Sequence, residues 1–133
     1  MAAQGRKNVH GKTGVRFKAG YTASKNKAML RNVVSSLIVC GQVKVTSGVV
    51  QELKTLADHL VTLAKRGDLH ARRQAARVIR NGYVDANGVD ALHKLFDEIG
   101  PKFAERKGGY TRAIKLGARK GDNAEVVLVS WVD

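Results

Sequence analysis

From Val49 to Ala64 apolar side chains return every three or four residues, so that Val49, Val50, Leu53, Leu56, Ala57, Leu60, Val61, Leu63 and Ala64 form one stripe of a helix. Thr46 or Ser47 can cap its start, and Gly67 can end it by taking a left-handed conformation. A helix with so regular an apolar face must bury it against other elements. The rest of the chain has to supply them.

From Ser24, which can cap, Met29, Leu30, Val33, Val34, Leu37 and Ile38 fall on one face of a first helix that Gly41 stops. Lys25, Arg31, Asn32, Ser35 and Ser36 take the other face. Residues 42–46 alternate polar and apolar, a short strand with Val43 and Val45 inward. Asp68 caps a third helix running to about Arg80, where Asn81-Gly82 supplies a stop and a loop runs on through Asn87-Gly88. A fourth helix starts near Val89 and puts Leu92, Leu95, Phe96 and Ile99 on one side, reaching toward Phe103, with Gly100-Pro101 interrupting it.

Residues 110–116 and 125–132 read as strands joined by a hairpin whose turn holds Asp122-Asn123. The second is apolar on both faces and is expected at the centre of a sheet that also takes in residues 42–46. The order helix, strand, three helices, two strands predicts an α+β fold with helices packed on a small sheet. A chain of 133 residues has room for one core, so residues 24–133 are read as one domain behind a basic extended arm at residues 1–23.

Charge limits the partners. Lys and Arg number 24 against 11 Asp and Glu, a net charge of +13 that calls for a polyanion. Residues 1–51 hold nine basic side chains and no acid, the first being Glu52. The lone Cys40 excludes an internal disulfide and is read as a small core side chain beside Val39, in a reducing compartment. No apolar run is long enough to span a membrane, and the N-terminus lacks a secretory hydrophobic stretch, although its acid-free composition loosely matches an organelle transit peptide.

Three groups of cations are candidates for RNA binding. The arm offers Arg6, Lys7, Lys12, Arg16 and Lys18, continuing into Lys25, Lys27 and Arg31 of the first helix, with Phe17 and Tyr21 interleaved either to stack on bases or to anchor the arm. On the third helix Arg73, Arg77 and Arg80 share a face opposite Ala71, Ala75, Val78 and Ile79; guanidinium forks at one-turn spacing with no acid between them suit successive phosphates. Residues 107–121 add Lys107, Arg112, Lys115, Arg119 and Lys120 without an acid. There Gly108-Gly109 either let the backbone approach a phosphate that Thr111 and Arg112 also contact, or simply begin a strand. Tyr110 belongs to the same segment, with packing favoured over base stacking.

Signals of catalysis are weak. Gly5 to Thr13 resembles a phosphate loop, but five residues separate Gly5 from Gly11 where the motif has four, and no strand precedes it. His10, His59, His70 and His93 are scattered, with no Cys or acid in a nucleophile or metal pattern. Neither a catalytic residue, a metal ligand nor a cofactor is assigned. A free nucleic-acid-binding regulator, with the third helix as its recognition helix, is the competing reading, and an enzyme such as a nuclease ranks below it.

Several short motifs, in order and spacing, resemble the bacterial-type large-subunit ribosomal protein seventeen family. They are Lys27-Ala-Met-Leu-Arg-Asn32 with the following Ser-Ser-Leu-Ile, residues 60–68 with His70-Ala-Arg-Arg73, Lys94-Leu-Phe96, Gly108-Gly-Tyr-Thr-Arg112, Lys115-Leu-Gly117 and Arg119-Lys-Gly-Asp122. The matched motifs bring Asn32 and Arg72 into the candidate RNA-binding set. The resemblance implies a non-enzymatic component of the large ribosomal subunit near the peptide exit, with large-subunit rRNA and neighbouring large-subunit ribosomal proteins as partners. It implies no membrane, small-molecule substrate or cofactor, and a place in the cytoplasmic ribosome or, alternatively, an organellar one. Two stretches depart from the family pattern: residues 1–23, longer than its short Arg-His-rich opening, and residues 47–54, where the family shows a Lys-containing helix start.

Overall fold

The computed structural model describes residues 23–132. The elements run α1 (Ala23–Cys40), β1 (Gln42–Thr46), α2 (Ser47–Arg66), α3 (Leu69–Ala76), α4 (Ala91–Lys94), a π-helical turn (Leu95–Ile99), α5 (Gly100–Lys102), β2 (Thr111–Ala118) and β3 (Glu125–Trp131). The segments from α4 to α5 are continuous and act as the fourth helix, so the predicted α+β order is the observed one. Among the described residues no helix is long and apolar enough to cross a membrane.

The core is built around α2, which touches α1, α3, the π turn, α5 and all three strands. Its stripe is buried as the period predicts: Leu53, Ala57, Leu60 and Val61 are fully enclosed, and Val49, Leu63 and Ala64 nearly so. Enclosing a leucine contributes roughly 1.5–3 kcal/mol, which makes this stripe the main apolar contribution of the fold. Gly67 closes the helix at φ 69°, its N–H donating to Leu63 O at 3.2 Å. From α1 come Val34, Leu37 and Ile38, and from the fourth helix Leu95, Ile99 and Phe103.

The sheet has the order β1-β3-β2, antiparallel throughout, with β3 in the centre as its two apolar faces require. Val43 lies opposite Val129 and Val45 opposite Val127, placing these four on the helix side, while Lys44, Leu128 and Ile114 form a row on the other. A bulge between Lys115 and Gly117 admits Leu116 as an extra residue, with Gly117 at φ 104°. Trp131 Nε1 ties the end of β3 to α1 by donating to Leu37 O at 3.2 Å.

Several expectations are corrected. Ser24 lies inside the first described turn of α1 and does not precede it. Ser35, assigned by period to the polar face, is fully buried; its hydroxyl donates to Arg31 O at 2.8 Å and accepts the Arg80 N–H at 3.0 Å. Cys40 is exposed, since the last residue of α1 turns away from the core. The third helix ends at Ala76, short of Arg80, because α1 takes over its final polar groups: Arg31 Nε donates to Val78 O at 2.9 Å, and the Arg80 N–H goes to Ser35.

The fourth helix starts at Ala91, because Val89 O and the Ala91 N–H are engaged in closing the preceding loop onto Asp85 and Tyr83. Gly100-Pro101 does not interrupt it. The π turn just before Pro101 widens the ladder where proline would otherwise remove a bond and crowd the preceding turn. Gly100 is needed for a different reason: a Cβ there would lie 3.1 Å from both Ala64 Cβ and Ala64 O.

Candidate nucleic-acid interface

The first cationic surface is made where α1 meets the chain after α3. Lys25, Lys27, Asn32, Arg73 and Arg77 are exposed, and Arg31, Arg72 and Arg80 are half-buried. Arg80 Nε donates to Asn32 Oδ1 at 3.1 Å, so two residues far apart in sequence share one edge of this surface. Arg31 holds the Val78 carbonyl, and the Arg72 guanidinium lies 5.2 Å from the centre of the Phe96 ring. Arg73 and Arg77 form no ion pair among the described residues. The predicted three-arginine face is thus divided. Arg73 and Arg77 stay on α3 and its end, while Arg80 is held against α1.

The second surface is the β2–β3 hairpin with the segment that enters it: Lys107 before β2, and Arg112, Lys115, Arg119 and Lys120 on the hairpin, are all exposed. Two of these carry acid partners: Lys115 lies 3.6 Å from Glu125, and Arg119 holds Asp122 through two bonds, Nε to Oδ1 at 3.0 Å and a second to Oδ2. The Arg119 guanidinium is the main cause of the fall of the Asp122 carboxyl to a pKa of about 2. Asn123 takes φ 58°, the left-handed turn position expected of the Asp-Asn pair, and the turn is closed by Arg119 N–H to Ala124 O at 2.8 Å.

Tyr110 and Thr111 face inward. Tyr110 is 4% exposed, its ring 5.3 Å from that of Phe103 and its hydroxyl receiving a 3.1 Å bond from Lys65 Nζ. Thr111 is 5% exposed and donates to Asp58 Oδ1 at 3.5 Å. Both therefore position the base of the hairpin and offer no side chain to a surface partner. Gly108 and Gly109 precede β2, with Gly109 at φ 61° and both carbonyls accepting from Arg106 Nε at 3.1 and 3.2 Å.

Arg6, Lys7, Lys12, Arg16 and Lys18, with Phe17, Tyr21 and His10, lie outside the described residues. His59, His70 and His93 are exposed, and the described residues contain no group of three His, Cys, Asp or Glu side chains able to hold a metal ion.

One cation was missed in the sequence. Lys44 read only as the outward residue of an alternating strand, yet it borders two clefts, one against Asn32, Val33 and Ser36 of α1 and one against residues 116–119 and Val126. Its membership of the acid-free first 51 residues was the available signal.

Cations displayed on a small α+β fold of net charge +13 define a class, small basic proteins whose charge calls for a polyanionic partner. The comparisons with known proteins are specific within it. A family model described as Ribosomal protein L17 matches residues 29–132. The large ribosomal subunit protein bL17 of Shouchella clausii (strain KSM-K16) is 47% identical over 116 residues, covering 86% of this chain and 97% of that protein. The chain belongs to the ribosomal protein L17 family.

Proposed function

We propose that the chain is a structural constituent of the large ribosomal subunit that binds rRNA and catalyses no reaction. The observation that carries this reading is the pair Arg73 and Arg77, exposed one helical turn apart with no ion-pair partner among the described residues. Guanidinium groups left without acid partners are available to phosphate oxygens. Lys25, Lys27, Asn32 and Arg80 extend this contact along α1, with Arg31 holding the Val78 carbonyl and Arg72 lying over the Phe96 ring. Lys107, Arg112, Lys115, Arg119 and Lys120 form a second contact at the hairpin, for which Tyr110 and Thr111 supply the buried footing. The arm of residues 1–23, through Arg6, Lys7, Lys12, Arg16 and Lys18, adds salt-dependent affinity of low sequence specificity. In this reading residues 24–133 are one rRNA-binding domain, the other partners are neighbouring large-subunit ribosomal proteins, and the site of action is the cytoplasmic ribosome.

Sedimentation of cell extract through sucrose gradients at low and high salt tests the proposal. The chain is expected to travel with the large subunit and to persist there at salt that strips loosely held factors. Finding it only among free proteins would overturn the assignment.

A further inference from the structure

The geometry points to one phosphodiester-binding channel centred on Lys44, which joins the α1–α3 surface to the hairpin surface so that a single RNA strand can run across both. The inference rests on the rRNA-binding reading and adds a site to it. The first cleft, of about 280 Å³, lies between α1 and β1 and is lined by Asn32, Val33, Ser36, Val43, Lys44 and Val45. The second, of about 390 Å³, lies across the outer end of the sheet and takes Lys44, Val45 and Thr46 from β1, Val126 from β3, and residues 116–119 from β2 and the turn.

Lys44 and Val45 border both clefts, so the two are consecutive along the surface. At one end Asn32 is bonded to Arg80; at the other stands Arg119. No acid lines either cleft.

Three physical features suit a phosphodiester strand. Lys44 is exposed and forms no ion pair among the described residues, in contrast to Lys115 and Arg119. Its neighbours Asn32, Ser36 and Thr46 are short polar side chains that bond phosphate and sugar oxygens. β1 is an edge strand, paired only with β3, so about half of its backbone N–H groups are left free of the sheet, and Val43, Lys44 and Val45 of this edge strand line the first cleft. The bulge at Leu116 and Gly117 shapes the far wall of the second cleft by bending β2 where it pairs with the central β3. Aromatic rings are absent from both linings, which argues for backbone contact and against base stacking.

The test uses the full chain and large-subunit rRNA transcribed in vitro, with binding measured over a range of salt. Lys44→Ala is expected to lower the slope of log affinity against log salt by about one, as loss of a single phosphate contact does. Lys44→Arg should restore the slope, and Lys102→Ala, at an exposed lysine that lines neither cleft, should leave it at the parental value. In a Cys40→Ser background, a cleavage reagent tethered through Lys44→Cys should cut nucleotides overlapping those cut from Arg77→Cys and those cut from Arg119→Cys. An unchanged slope in Lys44→Ala, or cuts that overlap fewer than both sets, would overturn the channel while the rRNA-binding reading stands. Absence of salt-dependent rRNA binding by the unsubstituted chain would remove both.

Discussion

Arg80 donates through Nε to Asn32 Oδ1 at 3.1 Å, while one turn along α1 the hydroxyl of Ser35 receives the Arg80 main-chain N–H at 3.0 Å. Side chain and backbone of one arginine are thus held by two residues of α1, so the arginine is positioned by the fold before any ligand arrives. The two bonds separate by mutation. Ser35→Ala strands a buried N–H and is expected to cost about 1–3 kcal/mol of stability. Asn32→Ala removes only an exposed partner, and should lower rRNA affinity several-fold with the melting temperature nearly unchanged. Thermal melts beside filter binding distinguish the two, and equal melting temperatures for both variants would refute the division.

Arg73 and Arg77 carry the functional reading without carrying the fold. Replacing both with Ala should reduce the salt slope of rRNA binding by about two and leave thermal stability within about 0.5 kcal/mol. A loss of affinity with no change in slope would assign them to something other than phosphate contact.

Gly100 is helical, so its requirement is space and not backbone freedom. A methyl group there meets Ala64 Cβ and the Ala64 carbonyl, and the carbonyl belongs to the backbone of α2 and cannot turn aside. Gly100→Ala is expected to lower stability by up to about 2 kcal/mol, the cost of overpacking exceeding the roughly 1 kcal/mol by which helices favour alanine. Denaturant unfolding at fixed m-value checks this, and a stabilised variant would contradict the close approach.

Two aspartates respond to acid in opposite directions. Asp122, held near 2 by Arg119 against an ordinary value of 3.8, contributes stability that is complete above about pH 4 and is lost as pH falls toward 2. Asp58 is raised chiefly by burial, against the opposing effects of Lys54, Thr111 and the Tyr110 N–H. The folded state therefore holds that proton better than the unfolded chain, and ionisation of Asp58 disfavours folding as pH rises through its raised pKa. Asp122→Asn should flatten the fall in melting temperature between pH 4 and 2. Asp58→Asn, whose amide oxygen can still accept from Thr111 and Tyr110, should melt no lower than the parent at pH 7. A steeper acid limb in the first variant, or a marked loss in the second, would reverse these signs.

What could be read from residue order alone was whatever depends on period and turn chemistry. The α2 stripe, the Gly41 and Gly67 stops, the Asp68 cap and the central place of β3 all follow from burial recurring at 3.6 or 2 residues. The misread positions depend on partners far along the chain. Ser35 is polar by type but buried because Arg80 meets it, and α3 is cut short by Arg31. Tyr110 and Thr111 sit in a basic segment yet turn inward to Phe103 and Asp58. Lys44 became notable only once three strands stood side by side, because a cleft has no signature in a single segment.

The order of the strands also bears on how the molecule comes together in time. β1 and β2 meet only through β3, whose residues follow both of them in the chain. The helices can collapse on local contacts, but the sheet has no middle until residues 125–131 arrive, and joining them to residues 42–46 closes a loop that encloses most of the fold. A nascent chain is therefore expected to hold α1, α2 and α3 together first and to leave two bare strand edges waiting, the interval in which self-association is the greatest hazard.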